Sequence, residues 1–97
     1  MDKMEATQIL RDCLKPFERR THAELAARAA SQHVETHEVY GESGTWYQIE
    51  LQFLWDDKIG EDIRILCSID DGGFRVFIPL TDSVLVKKAN DSGLGSP

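Results

Sequence analysis

Residues 45–80 read TWYQIELQFLWDDKIGEDIRILCSIDDGGFRVFIPL, and this stretch decides the fold. Tyr47, Ile49, Leu51, Phe53 and Trp55 take every second position of one segment. Ile63, Ile65, Cys67 and Ile69 do the same in the next, and Phe74, Val76, Ile78 and Leu80 in a third. Such alternation marks strands with one face against a core. The linkers are polar and contain glycine, and Asp70-Asp71-Gly72-Gly73 is a hairpin signal. A tight turn there puts Ile69 opposite Phe74, Cys67 opposite Val76 and Ile65 opposite Ile78. The preceding loop puts Trp55 opposite Ile63 and Phe53 opposite Ile65. Both registers gather the apolar side chains on one face.

Upstream the apolar period lengthens. Met4, Ile9, Leu10, Cys13, Leu14 and Phe17 recur at helical spacing, and Pro16 predicts that this helix stops near Lys15. Thr21-His22-Ala23-Glu24 is a capping box, since Thr21 can accept from the third amide while Glu24 reaches back. It predicts a second helix to about Gln32, with His22 exposed at its start. Thr36–Glu42 reads as a weak strand, and a two- or four-residue turn after it would put Tyr40 on the core face beside Tyr47. Val84-Leu85-Val86 fits either a short fourth or fifth strand or a segment folded back over the sheet. The expected fold is α+β: two N-terminal helices packed on one face of an antiparallel β-meander of three to five strands. Residues 1–88 form a single domain in this reading, and residues 89–97, polar and glycine-rich, a disordered tail.

At 97 residues the chain can build one modest core without disulfides or metal. No apolar run reaches the roughly 20 residues that span a bilayer, and the N-terminus lacks a signal-peptide pattern, so a cytoplasmic protein without a membrane partner is expected. The net charge of −6 is unevenly spread. Residues 35–82 carry eleven acidic and three basic groups, so the sheet and its loops repel a phosphate backbone and nucleic acid is excluded as a partner. Cys13 and Cys67 both fall on apolar positions and are read as buried free thiols.

Several clusters invite a chemical reading. Asp56, Asp57, Glu61 and Asp62 form one acidic group; Asp70 and Asp71, with Glu42, form another. Paired carboxylates bind divalent cations or serve acid–base chemistry. In a meander the two groups sit at opposite ends of a strand, about 23 Å apart, and cannot share an ion; solvated turns are the simpler reading. Asp56-Asp57-Lys58 is similar to the carboxylate-and-lysine arrangement of metal-dependent nucleases, which the acidic field argues against. His33 and His37 have a spacing that would suit one metal on a helix, but they fall where the second helix ends, so the rings are expected to diverge. No catalytic residue, metal ligand or cofactor is assigned.

The run Trp55-Asp56-Asp57, Ile63-Arg64, Ser68-Ile69-Asp70-Asp71-Gly72-Gly73 and Pro79-Leu80 resembles a pattern in small bacterial hypothetical proteins of unknown function. The resemblance covers about the last half of the chain. It implies a bacterial origin and carries no activity.

The face of the sheet turned from the helices is the remaining candidate site. It holds Trp46, Leu54, Arg64, Leu66, Arg75 and Phe77. The registers place Leu66 opposite Phe77, Leu54 opposite Arg64, and Glu50, Ser68 and Arg75 in a polar row. An apolar island of Leu54, Leu66 and Phe77 rimmed by arginines is the composition of a protein interface. The expectation is a non-catalytic protein-interaction domain, binding a protein partner or self-associating as a homodimer. One alternative is a chaperone or adaptor for a basic client, by its similarity in size and charge to secretion chaperones. The other is a metal-binding protein or enzyme using the Asp56–Asp62 loop.

Overall fold

A computed structural model describes residues 2–72 and 80–88 of the chain. Helix α1 spans Lys3–Leu14, a 3-10 turn follows at Lys15–Arg19, and α2 spans His22–Ala30. Strands β1 (Val34–Tyr40), β2 (Trp46–Trp55), β3 (Ile63–Asp70) and β4 (Leu80–Val86) form one antiparallel sheet in the order β1-β2-β3-β4. The fold is therefore the α+β meander expected, with four strands.

Local chemistry accounts for the helix ends. The Asp2 side chain caps α1 by accepting from the Met4 and Glu5 amides, and Pro16 holds the following turn. The Thr21–Glu24 capping box forms at α2 as read. At its other end Gln32 takes φ 53°, while its amide bonds to Ala29 and the His33 amide to Arg28. That is a Schellman motif with a glutamine where glycine is favoured. Helix α2 consequently ends at Ala30, short of the expected Gln32.

The core joins Ala6, Leu10 and Leu14 of α1, Phe17, and Leu25 and Ala29 of α2 to the inward residues of β2 and β3. Trp55 and Val84 are partly buried against it. Phe53 is the central ring, edge-on to Phe17 with centroids 5.6 Å apart and beneath the Arg28 guanidinium at 5.2 Å. Met4, expected on the buried stripe, is 86% exposed; Ala6 is buried in its place because the stripe runs Ala6–Leu10–Leu14.

The β2–β3 register is as read, with Trp55 opposite Ile63 and Phe53 opposite Ile65. Two expectations are corrected. First, Tyr40 lies opposite Trp46 and Val39 opposite Tyr47, so Tyr40 is exposed on the outer face. The cause is the turn. The Gly41 amide bonds to the Thr45 carbonyl and the Gly44 amide to Gly41, with Gly44 at φ 88°. This is a three-residue loop with a left-handed glycine, and its odd length reverses the parity.

Second, the neighbours of Ile69, Cys67 and Ile65 across from β2 are Leu80, Asp82 and Val84, not Phe74, Val76 and Ile78. Both edges of β3 are taken by β2 and β4. The exchange moves the register by an even number of residues, which leaves every side chain on its face, so alternation alone could not distinguish the two pairings. Phe74–Ile78 and the 89–97 tail lie outside the described residues.

Candidate interaction surface

The helices lie over the inward residues, so the outer face carries the even-numbered positions of β1, β2 and β3 and the odd-numbered positions of β4. Of the expected site residues, Trp46, Leu54, Arg64 and Leu66 are there, each partly buried. Arg75 and Phe77 lie outside the described residues. Leu66 is flanked by Gln52 and Ser83, and Arg64 by Leu54 and Leu85. The segment Val84–Val86 thus extends the sheet as part of β4 and contributes Leu85 to the surface. The polar row is completed by Thr81, which stands opposite Ser68 where Arg75 was expected.

The polar groups of this face are held in place. Arg64 donates from Nε to Asp56 Oδ1 at 2.7 Å and from Nη1 to Ser83 Oγ at 2.8 Å. Trp46 Nε1 donates to Glu38 at 2.9 Å, and its ring stands over the Gly72 backbone, where a Cβ would come within 2.7 Å of it. Gln52 donates to Glu50 at 2.9 Å.

The acidic loop is a structural joint. Asp56 pairs with Arg64, Glu61 with Lys88 at 3.3 Å, and Asp62 accepts from the Lys88 amide at 3.0 Å. The Glu61 carbonyl accepts from His22 Nε2 at 2.6 Å. His22 is buried rather than exposed, 9% accessible, with its ring 5.8 Å from Trp55. In the second acidic group, Asp70 accepts from the Gly72 amide at 2.7 Å. Among the described residues no three His, Cys, Asp or Glu side chains are grouped to hold a metal ion.

The histidine pair converges instead of diverging. His33 and His37 each donate from Nε2 to one oxygen of Glu35 at 3.1 Å, with Arg28 3.9 Å from the same carboxylate. Burial works to raise the Glu35 carboxyl, but the hydrogen bonds from His37 and His33 and the charge of Arg28 overcome it and leave it below its ordinary value. The legible signal was the spacing of two: read as strand rather than helix, Glu35, His37 and Val39 share one face.

That face of β1 borders an open groove of about 560 Å³ against α1, lined by Ile9, Asp12, Cys13, His37, Glu38, Val39, Tyr40 and Ile49. On its helical wall Cys13 is half-buried, while Cys67 on β3 is fully buried. A hydrogen bond from Cys67 brings the Cys13 thiol down to about 7, against burial and with help from His37, while Glu35 opposes. The same contact, burial, and the charges of Cys13 and Asp82 push Cys67 up. No helix among the described residues is long and apolar enough to cross a membrane.

Compared with protein-family models, curated proteins and solved structures, the chain matches none.

Proposed function

We propose that this is a non-catalytic protein-interaction domain whose outer sheet face docks a protein, in the first instance a second copy of itself. The observation that carries the reading is the group Leu54, Leu66 and Leu85 around Arg64, on the face opposite the helices. Apolar side chains bordered by ordered polar groups are the composition of an interface centre and rim. The same face carries the Arg64 cation and the Glu38, Glu50 and Asp70 carboxylates. In a two-fold dimer each patch meets its own image, so a face bearing both charges can complement itself. A protein partner rather than a nucleic acid is supported by the excess of carboxylates in residues 35–82. A bacterial cytoplasmic setting is supported by the sequence pattern and by the two free thiols.

Light scattering after gel filtration tests it. The expected result is a concentration-dependent dimer that Leu66→Asp dissociates while leaving the circular dichroism unchanged. A strict monomer at every concentration, or a dimer indifferent to Leu66→Asp and Leu85→Asp, would overturn the assignment.

A further inference from the structure

Strand β1 is an edge of the sheet. Among the described residues β2 is its one hydrogen-bonded neighbour, and five of its seven residues are exposed. The ladder fixes which backbone groups face outward. The Phe53 amide donates to the His33 carbonyl and the Gly41 amide to the Thr45 carbonyl. The odd-numbered residues of β1 therefore exchange bonds with β2, and the even-numbered ones turn theirs away. Val34, Thr36, Glu38 and Tyr40 present amides and carbonyls to the open side. Natural edges are blunted by proline, lysine or a bulge. Strand β1 has neither residue, and its register to β2 runs unbroken from Val34 to Tyr40.

We infer that β1 pairs antiparallel with β1 of a second copy, about a two-fold axis at His37, to make one continuous sheet. The strand is complementary to itself in that register. A two-fold axis normal to the sheet keeps like faces together, so even-numbered residues meet even-numbered ones. Those are the residues whose backbone groups face the partner. Full overlap sets Val34 against Tyr40 of the second copy at both ends. These two are exposed, at 50% and 74%, and a β-branched residue across from an aromatic one stabilises a strand pair. On the helix side, Glu35 stands diagonal to His37 of the second copy, a carboxylate beside an imidazole donor. The open groove against α1 leaves the incoming side chains room there. Glu38 meets its own image only diagonally, about 7–8 Å away, and is already bonded to Trp46. The contact uses the edge of β1 and not the outer face, so it holds or fails separately from the outer-face reading.

The test follows amide hydrogen exchange by NMR across a concentration series, on the full chain and on its Leu66→Asp variant, which lacks the outer-face contact. The amides of Val34, Thr36, Glu38 and Tyr40 are expected to slow by about tenfold on concentration in both proteins. The odd-numbered amides of β1, already bonded to β2, serve as the reference. The wild type decides even if Leu66→Asp does not fold, because docking on the outer face leaves these edge amides unpaired. Thr36→Pro removes an outward amide where an edge strand tolerates proline, and should abolish the slowing; so should Val34→Lys combined with Tyr40→Lys. Register is read by oxidation in a Cys13→Ser background. His37→Cys should form an intermolecular disulfide, since the two Cα atoms of that pair lie about 4.5 Å apart, and Glu35→Cys should not. Exchange indifferent to concentration, slowing that survives in a folded Thr36→Pro protein, or a disulfide through Glu35→Cys but not His37→Cys would each overturn the inference.

Discussion

The Tyr47 hydroxyl donates to the Glu5 carboxylate across 2.7 Å, tying the first turn of α1 to the start of β2. The same carboxylate accepts from the Ser43 amide at 3.0 Å and the Ser43 hydroxyl at 2.7 Å. One acid therefore fastens the helix to both the sheet and the β1–β2 turn. Tyr47, then Ser43, hold the Glu5 carboxyl below its ordinary value of 4.5. Burial, then Glu5, push the Tyr47 phenol up to about 12.

The first prediction concerns pH. A carboxyl lowered by folding contributes stability that is present above 4.5 and is lost as pH falls through the lowered value. Glu5→Gln should therefore have a lower urea midpoint than the wild type at pH 7, and the gap should close at acid pH. The phenol is raised, so its contribution is complete below 10 and is lost as pH rises through about 12; Tyr47→Phe should remove that alkaline dependence. Gly41→Ala should resemble Glu5→Gln, because its Cβ would fall on the Glu5 carboxylate. An acid limb identical in wild type and Glu5→Gln would refute the linkage.

Gln32 is the only described residue other than glycine with positive φ. The left-handed region costs a side-chain-bearing residue roughly 1 kcal/mol that glycine avoids. Gln32→Gly is expected to stabilise the protein by about 0.5–1 kcal/mol, net of chain entropy, a rise of roughly 2–8 °C in the thermal midpoint for a domain of this size. A fall in the midpoint would show that the glutamine side chain contributes more than the backbone costs.

Phe53 is fully buried and contacts Phe17, His33 and Arg28 through its ring. Truncation to alanine should cost about 3–5 kcal/mol, a large part of the roughly 5–10 kcal/mol of a domain this size. Chemical denaturation of Phe53→Ala checks this, with Phe53→Leu expected to recover most of the lost stability because it refills most of the cavity.

The thiols give a fourth prediction. Iodoacetamide should label Cys13 and spare Cys67 in the native state, with a rate that rises through pH about 7 rather than the ordinary 9.0. Cys67 from β3 and His37 from β1 favour the thiolate, and Glu35 from β1 opposes it. His37→Asn should move the midpoint upward and Glu35→Gln downward. Equal labelling of both cysteines would contradict the difference in burial.

Much of the fold was legible because its signals are local. The alternation in 47–55 and 63–69 assigned inner and outer faces correctly in β2 and β3, and the capping box began α2 where Thr21 stands. Of the candidate surface, Trp46, Leu54, Arg64 and Leu66 could be assigned from the same alternation. Leu85 was missed because Val84–Val86 fitted two roles, and His22 because its buried partner, the Glu61 carbonyl, lies far along the chain.

The chain's own order of residues settled which way each strand faces and where the helices begin, since both follow from side-chain period and caps within a few positions. Tertiary structure alone decided that β4 pairs with Ile65–Ile69, that Tyr40 turns outward, and that His22 is buried against the Glu61 carbonyl. An even slip of register preserves every face, one left-handed glycine in a turn reverses them, and contact between distant residues depends on the packing of whole elements.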